Sequence, residues 1–132
     1  MTSLATTKRE AVAAAIRTAV EELEGTWSTY GSPVDVYSLP AVVIGPGDPY
    51  REQSTFGNFG ENRETLRLIA HVFINRASGN TALDIFDVAA DAIMEAVDGV
   101  SYSTRWADVT LSGVVTVGET EALGAAIQIE VL

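Results

Sequence analysis

The chain contains no cysteine and only one histidine among its 132 residues. Disulfides, thiolate nucleophiles and cysteine-type zinc sites are therefore excluded, and a reducing compartment suits everything that is present. His71 cannot form a two-histidine metal site, and any catalytic triad would have to use this one imidazole. We interpret His71 as a residue of a sheet surface or interface, and we predict no catalytic residue, metal ligand or cofactor.

Basic residues are scarce, and most of the negative charge lies in the second half of the chain. The net charge is −10, and after residue 77 a single basic residue, Arg105, stands against nine acidic ones. Tight binding of DNA or RNA needs clustered lysine and arginine to neutralise phosphates. We therefore do not expect tight binding of nucleic acid, although so acidic a surface can lie next to DNA without binding it.

No long apolar run is present either. A bilayer span needs roughly 20 apolar residues, and the alanine-rich N-terminal segment is interrupted by Lys8, Arg9, Glu10 and Arg17, which is not the pattern of a signal peptide. The composition, with 47% hydrophobic and 20% charged residues, is that of an ordinary globular protein. We predict one domain over residues 1–132 and no association with membranes.

Two segments have the periodicity of amphipathic helices. In the first, Thr7 and Glu10 have capping-box spacing, apolar residues recur from Val12, and the helix is expected to end at Gly25. The second covers residues 81–99. Its predicted apolar stripe consists of Leu83, Phe86, Ala90, Ile93 and Val97.

Strands are predicted between and after these helices. They cover VDVYS (34–38) after a turn-rich linker at 26–33, PAVVIG (40–45), the strongly alternating TLRLIAHVFINR (65–76), and two or three strands from residue 103 onward. Gly113 is a possible bulge, and residues 118–124 are expected to connect a hairpin. The order α-β-β-β-α-β-β favours an α+β, two-layer domain in which two helices pack on one face of a mixed or mainly antiparallel sheet.

A long, protruding loop is predicted between the second and third strands, at about residues 46–64. It combines aromatic and arginine residues, which protein interfaces favour, and loops of this length are usually functional or disordered. Two interpretations remain open: Phe56 and Phe59 fold back onto the domain, or they dock onto a partner. The candidate interface residues are Pro46, Tyr50, Arg51, Phe56, Phe59 and Arg63.

The second helix carries an acidic face. Its members recur at spacings of three and four residues and are Asp84, Asp87, Asp91, Glu95 and Asp98. Like charges at this spacing repel by a few tenths of a kcal/mol per pair, so the buried side of the helix must hold it in place. One interpretation is a solvated face; the other is a negative wall toward a basic partner or a channel that must not bind phosphate.

The element order, the size, the acidic character and the local text LPAVVIGPGDPY (39–50) resemble the tail terminator proteins of long-tailed, siphovirus-type bacteriophages. The resemblance spans most of the chain. It implies an α/β sheet-and-helix domain that forms a ring, typically a hexamer, which caps the tail tube, ends tail polymerisation and provides the surface for head attachment.

Further expectations follow from that resemblance. The partners would be other copies of the chain, the tail tube protein and a head-completion or connector protein, with DNA only as passing cargo. The site would be the head-tail junction of the virion, assembled in the bacterial host cytoplasm. Residues 46–62 would form an interaction arm anchored by Tyr50, Phe56 and Phe59, and the acidic helix could face the lumen.

Three alternatives remain open at this point. Another neck component, such as a head-closure, head-tail joining or tail-completion protein, differs from a terminator in its binding target. A small metal-dependent hydrolase would use the acidic helix and His71. A ligand-binding or peptide-binding module would need Phe56 and Phe59 to line a concave pocket.

Overall fold

The computed structural model describes residues 3–23, 26–31, 38–54, 63–75, 81–117 and 120–132. Within these ranges the chain forms two helices and five strands in the order α-β-β-β-α-β-β. The helices are α1 (Leu4–Glu21) and α2 (Ala82–Asp98), and the strands are β1 (Ser28–Tyr30), β2 (Ala41–Ser54), β3 (Arg63–Asn75), β4 (Thr104–Val117) and β5 (Thr120–Val131). The predicted α+β class is confirmed.

The strands form one mixed sheet in the spatial order β1-β2-β3-β5-β4. The pairing of β1 with β2 is parallel, and the other three pairings are antiparallel. The last strand of the chain, β5, is thus inserted between β3 and β4. The edges of the sheet are β1, which has three residues, and β4, which has fourteen.

The core lies between the helices and one face of the sheet. The alternating apolar residues predicted for β3, from Leu66 to Ile74, are buried, and each lies opposite an apolar residue of β5. Both helices bury their apolar stripes against this face and against each other. Burial of each large aliphatic side chain contributes roughly 1.5–3 kcal/mol, so this layer holds the domain together.

The first helix begins earlier than predicted. Ser3 is its N-cap residue, and the Ser3 hydroxyl accepts a hydrogen bond from the backbone N–H of Ala5 at 3.2 Å. Thr7 already lies inside the helix, where its hydroxyl donates to the Ser3 carbonyl, so the predicted capping box at Thr7 is wrong because Ser3 caps first. The helix ends at Glu21, and Gly25, its predicted end, lies outside the described residues.

The first strand is also displaced from its predicted place. Residues 28–30, assigned to a linker from their turn-rich surroundings, form β1 in register with Ala41 to Val43 of β2. Of the strand predicted at 34–38, Ser38 is outside any strand, and residues 34–37 lie outside the described part of the chain. A three-residue strand is too short for periodicity to reveal, and its pairing with β2 decides its conformation.

The predicted loop at 46–64 is wrong at both ends. β2 continues to Ser54 and β3 begins at Arg63, so residues 46–54 and 63–64 belong to strands, while residues 55–62 lie outside the described ranges. Pairing shifts register between Pro46 and Arg51 and then resumes as far as Ser54 opposite Arg63. The prolines and Gly47 that indicated a loop are confined to this irregular stretch.

The bulge predicted at Gly113 is confirmed. The β4–β5 register shifts between Leu111 and Gly113, and Gly113 has a φ of +76°, a region that favours glycine. The hairpin connection predicted at 118–124 is too long, because β5 begins at Thr120 and Gly124 lies within it, opposite Gly113. A Cβ at Gly124 would lie 2.9 Å from Cγ2 of Val115, so close packing rather than a turn favours glycine there.

Candidate interaction surfaces

The edge strand β4 carries a row of exposed apolar side chains. The row, which we call the β4 ridge, consists of Trp106, Val109, Leu111 and Val114, whose exposed fractions are 42%, 36%, 50% and 55%. Their partners across the ladder are Ile129, Ile127, Ala125 and Leu123 of β5. Residues paired across an antiparallel ladder share a face, so the β4 ridge continues the apolar face that the helices cover elsewhere.

The position of α2 explains why the ridge is uncovered. α2 reaches the beginning of β4, where the Thr104 hydroxyl donates a hydrogen bond to the Val97 carbonyl, and the ridge lies beyond that contact. How far α2 reaches along β4 does not follow from a local sequence pattern, and the sequence-based prediction missed this surface.

A second apolar feature lies between the end of α1 and the beginning of α2. It is a cleft of about 480 Å³ lined by Glu22, Leu23, Trp27, Asp84, Ile85 and Val88. The apolar members form the walls, and the two carboxylate residues contribute acidic groups to the lining. Trp27 directly precedes β1, and α1 contacts β1, so the cleft lies toward the β1 side of the domain. The β4 ridge belongs to the opposite edge of the sheet.

The predicted acidic face of α2 is exposed along its whole length. All five carboxylate residues, Asp84, Asp87, Asp91, Glu95 and Asp98, are solvent-exposed. The predicted apolar stripe is correct for four of its five members but wrong for Leu83, whose side chain is 47% exposed. Ala82, Ala89 and Ala90 occupy the core side beside Phe86, and Leu83 falls outside that side of the helix.

The candidate interface residues of the predicted arm are only partly described. Phe56 and Phe59 lie outside the described residues, and for Arg63 the structure describes the backbone in β3. Pro46 is exposed in β2. Tyr50 is not on a projecting loop, because its ring packs against the core and its hydroxyl accepts a 3.2 Å hydrogen bond from Arg9 of α1.

Arg51, another predicted interface residue, is paired across the hairpin of β2 and β3. Its guanidinium donates two hydrogen bonds to the Glu64 carboxylate, one of them 3.0 Å from Nη2 to Oε2. This pairing lowers the pKa of Glu64 and raises the pKa of Arg51. Arg67 and Glu52 form a second ion pair between the same strands. Both pairs are largely exposed, and exposed pairs contribute little to stability.

His71 lies in the centre of β3 on the face opposite the helices. Its ring stacks on Phe73 with centroids 6.3 Å apart and planes inclined by 7°. Burial lowers the pKa of His71, because an imidazolium loses hydration in this half-buried position. The neutral imidazole is the form that this environment favours.

Within the described ranges no group of three or more His, Cys, Asp or Glu side chains is arranged to hold a metal ion. The two described helices are also too short or too polar to cross a bilayer.

No family model and no curated protein matches the sequence. Among solved structures, the chain is similar to the bacteriophage SPP1 gp17 protein, with a TM-score of 0.48 and 20% identity over 95% of this chain and 90% of that one. At this identity and TM-score the likeness concerns the course of the chain alone, and no functional argument rests on it.

Proposed function

We propose that this chain is a structural protein of a bacteriophage virion. More specifically, we propose a tail terminator, which forms a ring on the finished tail tube, ends tail polymerisation and presents the surface to which the head attaches. The sequence resemblance described above supports this proposal, since the order of elements on which it depends is the order found in the fold. The chain would act without turnover and without a cofactor.

The observation that carries the proposal is the β4 ridge. Contiguous apolar surface on a soluble domain marks contact sites, and a long, uncovered edge strand invites pairing unless something protects it. Here the ridge lies on a strand whose 14 residues include one basic and one acidic side chain, Arg105 and Asp108. A component of a larger assembly has a reason to keep such a surface, because a neighbouring subunit covers it.

The acidic face of α2 fits the same role in a different way. Five exposed carboxylates would repel DNA phosphates, so a lumen lined by this helix would let DNA pass without holding it. Within the ring the partners would be other copies of the chain, six in all as in terminators. Outside the ring they would be the tail tube protein and a head-completion or connector protein. Its place would be the head-tail junction after assembly in the host cytoplasm.

Two steps test the function. Mass photometry and negative-stain imaging of the purified chain, over a range of concentrations, should reveal closed rings with a central hole. Tail tube protein from the same genome should then polymerise to longer tubes without the chain than with it, and the added rings should be seen at tube ends. Rings that ignore tubes but bind the connector would identify another neck component, and metal-dependent hydrolytic turnover would overturn a structural role.

A further inference from the structure

We propose that the β4 ridge of one copy docks into the cleft between α1 and α2 of a second copy. This head-to-tail contact deepens the proposed function, because it names the surfaces by which the subunits of the ring would meet. The occupant of the ridge is thus a second copy of this chain, and the ridge and the cleft are two halves of one interface.

The positions of the two surfaces support a head-to-tail contact. The ridge lies on β4 at one edge of the sheet, and the cleft is walled in part by Trp27, next to β1 at the other edge. A contact between different surfaces of identical subunits repeats from copy to copy, and it closes into a ring when the rotation between neighbours allows. A ridge-to-ridge contact would instead give a closed dimer that adds no further subunits.

The apolar chemistry of the two surfaces is matched. The ridge offers Trp106 and Leu111 as large exposed side chains, and the cleft offers Leu23, Ile85 and Val88. A volume of about 480 Å³ falls within the roughly 300–1,000 Å³ of pockets that enclose small molecules, so a bulky side chain can enter. Tryptophan is enriched among the residues that anchor interfaces.

The low charge of β4 suits the same pairing. The whole chain carries −10, so two copies repel unless they meet at surfaces of low or opposite charge. β4 has no net charge, and its Arg105 is the only basic residue after residue 77. Arg105 forms an ion pair with Glu130 at 3.2 Å, and both lie on the face of the sheet opposite the ridge, so the side chains that would enter the cleft are uncharged.

Two charged variants test the contact, one on each surface. Leu111→Glu disrupts the ridge, and Val88→Glu disrupts the cleft; both side chains are at least half exposed, so the fold should tolerate them. Two matched controls add the same charge nearby: Thr110→Glu on the opposite face of β4, and Leu83→Glu on α2 outside the cleft lining. Thermal melts of every variant verify folding.

Sedimentation velocity and mass photometry give the readout. We expect the wild type and both controls to associate, and each disrupted variant to dissociate at least about a hundredfold more readily, because a carboxylate buried in an apolar contact loses its hydration. Mixing the two disrupted variants should restore association, but only to complexes of two chains, since each variant retains one intact surface. That restoration is specific to a head-to-tail contact.

Several results would overturn the contact. A wild type that stays monomeric at all concentrations excludes a second copy as the occupant. Association that survives the cleft variant indicates ridge-to-ridge pairing or a cleft that serves another ligand, and a mixture that stays monomeric excludes complementary surfaces. If the ridge variant still forms rings that cap tubes, the contact is wrong and the proposed function stands. If the chains associate head to tail but do not affect tubes, the contact stands and the proposed function is wrong.

Discussion

The neighbouring strands β4 and β5 have similar lengths and the same kind of apolar alternation, yet one is covered and the other is not. Ile127 and Ile129 of β5 are completely buried, whereas their partners Val109 and Trp106 of β4 are 36% and 42% exposed. The difference arises from the layer above the sheet, because α2 meets β4 at its beginning, at Thr104, and the ridge lies beyond that contact. An alternating pattern therefore reports which face of a strand is apolar, and it does not report whether the same chain covers that face.

The largest expected effect tests this difference directly. Ile127→Ala should lower the free energy of unfolding of the monomer by about 2–5 kcal/mol, because it leaves a cavity in the core. Val109→Ala, the change at its cross-strand partner, should cost less than about 1 kcal/mol, because that side chain already contacts water. Urea denaturation of dilute monomer measures both. Equal losses would mean that β4 is covered as fully as β5.

A close backbone approach lies within the pairing of β2 and β3, at Gly47 of β2. A Cβ there would lie 2.7 Å from Cβ of Arg67 and 3.1 Å from its carbonyl carbon and oxygen. Gly47→Ala should therefore force the strands apart and cost about 1–3 kcal/mol.

Gly45→Ala is the matched control for Gly47→Ala, because a Cβ at Gly45 would meet the ring of His71 at 3.4 Å and no backbone atom within 4 Å. We expect the control to unfold at a higher urea concentration than Gly47→Ala. The reverse order would contradict the close packing of β2 on β3 at this point.

On β4, the uncovered strand, the backbone conformation alone favours glycine at position 113. Gly113 has a φ of +76°, and a Cβ added there would meet no atom within 4 Å. Gly113→Ala should cost about 1–2 kcal/mol through left-handed backbone strain, and Gly113→Asn should cost less, since asparagine tolerates this conformation. Equal losses for alanine and asparagine, measured by urea denaturation, would argue against strain as the cause.

Sequence reasoning reached local features of the chain more securely than features that depend on tertiary packing. The buried stripe of β3, most of that of α2 and the bulge at Gly113 follow from local periodicity and glycine chemistry, and all three were predicted. β1 was missed because pairing with β2, and not its own residues, makes it a strand. The β4 ridge was missed for a related reason: exposure depends on how many elements pack above a strand, which no single segment records.

A smaller effect concerns the sheet face away from the helices, where His71 is half-buried. Burial lowers the pKa of His71 in the folded state below its ordinary value near 6.5, so the folded protein binds this proton less readily than the unfolded chain does. The associated stability is complete above the unfolded pKa and is lost as pH falls through the folded pKa.

His71→Gln should remove this contribution to the pH dependence. We expect the wild type to lose more stability than the variant when the pH is lowered from about 7.5 to about 5, a window that brackets the unfolded pKa of histidine. Chemical denaturation at each pH gives, for each protein, the slope of the free energy of unfolding against pH. The contributions of the carboxylates common to both proteins cancel in the comparison. Parallel slopes would mean that water reaches the imidazole freely.

The smallest effect on monomer stability is expected for the predicted interface residues Phe56 and Phe59. If they contact a partner, Phe56→Ala combined with Phe59→Ala should change the free energy of unfolding by no more than about 0.5 kcal/mol, as surface changes do, and should abolish assembly. Phe86→Ala is the control from the core: its ring is 4% exposed, and its loss should cost about 3–5 kcal/mol. A thermal melt of dilute monomer and mass photometry at high concentration separate the two readouts. A double variant that melts as early as Phe86→Ala would place these rings in the covered part of the protein, and it would leave the β4 ridge as the apolar surface on which assembly must depend.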